Sequence, residues 1–104
     1  MSSQKFDMFM NRLSKVFKHR DKIARKQQIS CFRIYDLDMP EFPLCVDKYG
    51  DYIHVSEYKR NHTLDDLQYD EWLYHSIEII STVTSTIKEN IFVKERKIIQ
   101  SRND

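Results

Sequence analysis

At 104 residues, 40% hydrophobic and 32% charged, the chain has room for one domain with one modest core and is too apolar to be a disordered segment. A net charge of +1 names no partner, and the single glycine, Gly50, excludes a G-x-G-x-x-G turn or a P-loop. Cys31 and Cys45 lack zinc-knuckle spacing, and no run of about 18 apolar residues could cross a membrane, so the expectation is a cytoplasmic chain with two free thiols and no membrane contact.

Ser2 or Ser3 can cap a first helix. Over residues 5–28, Phe6, Phe9, Met10, Leu13, Val16, Phe17 and Ala24 recur at helical spacing with no proline or glycine between them, which predicts a long amphipathic helix. Arg12, Lys15, His19, Lys22 and Lys26 are spaced to share the opposite face. Lys18, Arg20 and Arg25 widen that face, and only Asp7 and Asp21 oppose it. A basic stripe about four turns long can follow a phosphate backbone without reading sequence. A plain solvated face and a membrane-surface helix are the other readings of the same stripe.

Residues 30–35, SCFRIY, read as a strand. The next stretch, YDLDMPEFPLCVDKYGD, crowds Asp36, Asp38, Glu41, Asp47 and Asp51 around two prolines. A D-x-D pair can hold a metal, but aspartates beside prolines also cap turns through their own side chains. Val46, Ile53 and Val55 flank a Tyr49-Gly50-Asp51 turn and predict a hairpin. Thr63, Asp65 and Asp66 place acid at the start of a second helix, where the helix dipole favours it. Trp72, Leu73, Ile77, Ile80, Val83 and Ile87 are expected along its apolar face. A last strand, NIFVKERKII, ends the pattern.

The order helix, strand, hairpin, helix, strand gives an α+β fold. It divides into a basic amphipathic helix at 1–28 and a small, mainly antiparallel sheet domain with one packed helix at 29–104. If the sheet needs a further strand, the chain does not contain it. His54, His62 and His75 lack the i, i+4 spacing of a helical zinc site, and no nucleophile is marked by a neighbouring base, so neither a catalytic residue nor a metal ligand is assigned.

Taken together, several pieces are more specific than any one. They are Asn11, Arg12, Leu13 and Lys15 as N-R-L-x-K; Arg33, Tyr35, Asp36, Asp38, Pro40 and Glu41 as R-x-Y-D-x-D-x-P-E; Val46, Asp47, Tyr49, Gly50 and Asp51 as V-D-x-Y-G-D; and Lys94 with Arg96 as K-x-R. Over residues 11–97 the chain resembles the segment that precedes the catalytic domain in bacterial SAM-dependent large-subunit rRNA methyltransferases of the guanine-N7 type. It departs from that pattern at Ile23, where the family has tryptophan, at Gln28, where glycine is common, and after Lys97. The resemblance implies a role in handling rRNA for an enzyme that moves a methyl group from SAM to guanine. It also implies a fragment or truncated homologue without the SAM site, hence no cofactor and no catalysis in this chain. The nucleic-acid contacts implied are Arg12, Lys15, Lys18, Lys22, Arg25 and Lys26, joined by Arg96 and Lys97. The partners are then rRNA and a catalytic methyltransferase domain. A stand-alone interaction module that self-associates through an open sheet edge is the alternative. On this resemblance the acidic stretch becomes architecture, with Asp36, Asp38 and Glu41 shaping the loop and Asp47, Gly50 and Asp51 the hairpin turn.

Overall fold

A computed structural model describes residues 3–58 and 65–96. Ser2, His62, Thr63 and Lys97, named above, lie outside them. Helix α1 runs Ser3–Lys26 and buries Phe6, Phe9, Leu13 and Ala24. Met10 stays 36% exposed, because the buried Phe6, Phe9, Leu13 and Ala24 centre the apolar stripe near Leu13 and leave Met10 at its margin. The helix ends where Gln28 turns left-handed at φ 57°. The Gln28 N–H then reaches the Arg25 carbonyl and the Ile29 N–H the Ala24 carbonyl, the paired bonds of a Schellman cap. Glycine is the easy residue for that geometry, and Gln28 adopts it with a Cβ in place.

Strands β1 (Cys31–Asp36), β2 (Leu44–Tyr49), β3 (Tyr52–Tyr58) and β4 (Ile91–Arg96) form one sheet in the order β1-β2-β3-β4. The first two pairings are antiparallel and β3/β4 is parallel. The fold is therefore α+β with a mainly antiparallel sheet, as the sequence predicts. The hairpin turns at Gly50, whose φ of 60° suits glycine. Asp47, expected in that turn, instead sits inside β2 opposite Arg33 and His54. A register shift between Arg33 and Tyr35 in β1 lets two consecutive residues, Ile34 and Tyr35, both be fully buried. The parallel pair needs a crossover, which α2 (Asp66–Thr84) supplies. A short 3-10 turn, Lys88–Asn90, leads into β4. Strand β4 closes the sheet, and nothing among the described residues pairs with its outer edge.

Asp65 caps α2 by accepting from the Gln68 N–H at 2.8 Å, while the Gln68 side chain accepts from the Asp65 N–H at 3.2 Å. The helix buries Trp72, Ser76, Ile79, Ile80 and Thr84. Leu73, Ile77 and Val83 pack half-buried beside the core. Ile87, expected on this face, lies past the helix end and is 62% exposed. Hydroxyls stop the helix first: Ser81 Oγ donates to the Thr86 carbonyl and Thr84 Oγ1 bonds to Thr86 Oγ1, with Ser85 left-handed at φ 55°.

Both helices share one core with the sheet. Phe42 is its centre: it stacks on Phe9 at 4.2 Å between ring centroids, meets Phe6 edge-on at 5.6 Å and lies 6.0 Å from Trp72. Ile34, Leu44, Val46, Ile53 and Val55 floor it from the inner sheet face. Full burial of side chains this large contributes roughly 1.5–3 kcal/mol each.

Candidate nucleic-acid interface

The acidic stretch and the basic helix meet. Lys5 Nζ lies 2.9 Å from a Glu41 carboxylate oxygen and Arg12 Nε 3.5 Å from an Asp38 oxygen. The Lys5 hydrogen bond holds the Glu41 carboxyl below its ordinary range. Asp38 also accepts from the Asp36 N–H at 3.1 Å, a local side-chain-to-backbone bond that folds the loop back on the end of β1. Asp36 accepts from the Cys45 thiol at 2.9 Å. Burial first, and then that carboxylate, raise the Cys45 pKa, so the thiol stays protonated. Tyr35 ties the loop from below: its hydroxyl donates to the Phe42 carbonyl at 2.8 Å and accepts from the Met39 N–H at 3.0 Å. Burial pushes that hydroxyl's pKa up. Arg33 spans both Asp47 carboxylate oxygens, at 2.8 and 3.3 Å, and this pairing raises its pKa further. Asp36, Asp38 and Glu41 shape the loop as expected, and Asp47 fixes β1 to β2. Among the described residues no three His, Cys, Asp or Glu side chains are grouped as metal ligands.

The basic residues of α1 divide. Arg12 is held by Asp38, and Arg25 by Asp21 at 2.9 Å, one turn away. Lys15, Lys18, Lys22 and Lys26 are exposed and make no ion pair or hydrogen bond with any described residue. They project opposite Phe9, Leu13 and Ala24, over a helix length of about 16 Å at 1.5 Å per residue. Arg96 ends β4, at the opposite sheet edge from β1, the strand α1 packs against. The fold thus gathers the helical cations and leaves Arg96 apart from them.

The fold also presents a second surface, one that no sequence motif marks. The register aligns Arg33, Asp47, His54 and Phe92 in one row across the outer sheet face, with Tyr49 and Tyr52 in the next row. Tyr49, Tyr52 and Phe92 are 44%, 49% and 49% exposed. His54 meets Tyr49 edge-on at 4.9 Å and Phe92 at 5.7 Å, and Tyr52 lies 6.0 Å from Phe92. The signal was present: Tyr52 and His54 alternate with the core residues Ile53 and Val55, so they face away from the core.

No family profile matches the chain. Similar proteins do. The ribosomal RNA large subunit methyltransferase K/L of Pseudomonas aeruginosa is 39% identical over 90 residues, which are 86% of this chain and 12% of that protein. The ribosomal RNA large subunit methyltransferase K of Neisseria meningitidis serogroup B is 40% identical over 89 residues, 86% of this chain and 25% of that protein. The K/L enzyme of Pseudomonas putida strain W619 is 38% identical over 95 residues, 91% of this chain and 13% of that protein. The chain therefore corresponds to a small piece, 12–25%, of the relatives it matches.

Proposed function

We propose that this chain, homologous to a small segment of bacterial large-subunit rRNA methyltransferases, is the part that grips rRNA while another part of the enzyme transfers the methyl group. The observation that carries the reading is the line of exposed, unpartnered lysines at 15, 18, 22 and 26. Such a line neutralises phosphates and releases their counterions without reading bases. Arg12 and Arg25 are secondary contacts; Arg96, at the far sheet edge, and Lys97 would meet a different part of the RNA. The chain's one glycine is used in the hairpin turn, so on this reading no glycine-rich cofactor loop is built from it. The methyl donor then binds elsewhere in the enzyme, and the setting is the bacterial cytoplasm, where rRNA is modified.

One observation favours a second reading, a protein-interaction module. The outer edge of β4 is unpaired among the described residues, and Phe92 and Val93 there are 49% and 44% exposed. Open edges with apolar side chains recruit strands.

Charge reversal separates the two. In Lys15→Glu/Lys22→Glu/Lys26→Glu, affinity for a structured rRNA fragment falls on the order of 100-fold at 0.1 M salt. Unchanged affinity makes the stripe a solvated face. Stable dimers indifferent to RNA in light scattering favour the module.

A further inference from the structure

We propose that the outer sheet face is a stacking surface for unpaired RNA bases, onto which a strand held by α1 continues; the inference rests on the RNA reading above and specifies what part of the RNA it takes.

Sheets with two helices on one face usually cover the other face or leave it polar. Here the hairpin end of that other face is aromatic. Tyr49, Tyr52 and Phe92 are about half exposed, although their neighbours Ile53, Val55 and Ile91 are buried. Tyr49, His54, Phe92 and Tyr52 form a chain of rings with successive centroid separations of 4.9, 5.7 and 6.0 Å. Arg33 extends the row. Asp47 grips its guanidinium with two oxygens, which fixes that plane while leaving the residue exposed. Aromatic rings and guanidinium planes are the groups on which splayed bases stack, and every base has a face to offer.

Two clefts connect this row to the basic helix. One, of about 420 Å³, lies between the end of α1 and β1 and is lined by His19, Arg20, Ile23 and Ile29 together with Phe32 and Arg33. The other, of about 390 Å³, is lined by Cys31, Phe32, Arg33, Asp47 and Tyr49. Phe32 and Arg33 line both, so the two clefts adjoin on either side of the β1 edge. Arg20 donates to the Arg33 carbonyl at 3.3 Å and marks the crossing point. Charge complementarity selects the occupant. The path begins at Lys22 and Lys26, passes His19 and Arg20, and ends on rings flanked by the exposed Lys94. A polyanion with flat, detachable bases suits both ends of it; an apolar protein partner suits only the second. Duplex RNA keeps its bases stacked on one another and cannot use the rings.

The test uses the full chain and a short single-stranded RNA carrying 2-aminopurine, with the same sequence as a duplex for comparison. Wild type quenches the probe in the single strand. Tyr49→Leu/Tyr52→Leu keeps apolar bulk but removes the rings; it weakens single-strand binding about 5- to 100-fold, the range for losing stacked bases. Its duplex affinity and salt dependence stay those of wild type, and Tyr49→Phe/Tyr52→Phe restores single-strand binding. Matching thermal midpoints for the leucine and phenylalanine variants assign the loss to the ring faces and not to the fold. Unchanged affinity and quenching in the leucine variant overturn the stacking surface. If the Lys15/Lys22/Lys26 reversal still weakens binding in that case, the phosphate grip stands without it. Should wild type bind neither RNA, both readings fall. A wild-type dimer that the leucine variant converts to monomer assigns the face to a second copy of the chain and overturns the proposal.

Discussion

Residues 35–51 and the C-terminal half of α1 are both crowded with charge, yet they treat it in opposite ways. In the acidic stretch Asp36, Asp38, Glu41 and Asp47 each meet a cation or a backbone donor. In the helix Lys15, Lys18, Lys22 and Lys26 meet none among the described residues. Density of charge is common to the two, so it cannot mark a site. What separates them is whether the charge is already used inside the fold. A carboxylate with its partner in place contributes to architecture. A lysine without one keeps its full capacity for an outside anion, at little cost while it is solvated.

Three substitutions press on this comparison beyond the lysine reversal and the ring variants. The largest effect belongs to Tyr35→Phe. It leaves the buried Phe42 carbonyl and the Met39 N–H without the hydroxyl between them, so stability falls by about 1–3 kcal/mol in urea unfolding. RNA affinity at the folded baseline stays unchanged, as an architectural loop requires. A lasting loss of affinity in the folded variant moves the acidic loop into the interface.

Asp38→Asn acts across the boundary. The amide oxygen can still accept from the Asp36 N–H, but the charge that holds Arg12 is gone. A freed Arg12 joins the stripe, and RNA binding tightens up to about fivefold with a steeper salt dependence. Weaker binding shows instead that the loop itself supports the RNA.

The smallest effect is that of Lys5→Met. The Lys5 bond lowers the folded pKa of Glu41, so its contribution is present above the unfolded carboxyl value and disappears as pH falls through the folded one. Thermal midpoints of wild type and variant differ slightly at pH 7 and converge in acid, because the pair is half solvated. A difference that persists at low pH means Lys5 acts through packing.

The elements that were legible in the sequence are those set by local pattern. Phe6, Phe9 and Leu13 announce α1, Gly50 the hairpin, and Asp65 with Asp66 the start of α2. What was hidden depends on chain-distant contact. Arg12 and Asp38, or Lys5 and Glu41, show no mutual signal along the chain, so the stripe and the acidic loop read as two free features until the fold joins them. Asp47 looked like part of a turn, since its pairing with Arg33 needs the β1/β2 register. Ile87 fits the helical period, but the period says nothing about the hydroxyls of Ser81 and Thr84 that end α2 first. The aromatic face was half legible: Tyr52 and His54 alternate correctly, whereas Phe92 joins them only through parallel pairing with β3. The family resemblance was the most specific signal, and identity over most of the chain with the rRNA methyltransferases bears it out.

The salt dependence of RNA affinity tests the unused lysines most directly. With four of them on phosphates, log K against log salt falls with a slope of roughly −3 for wild type, and the Lys15/Lys22/Lys26 reversal brings it close to −1. Equal slopes for the two proteins would contradict the account, because the stripe would then be only a solvated face.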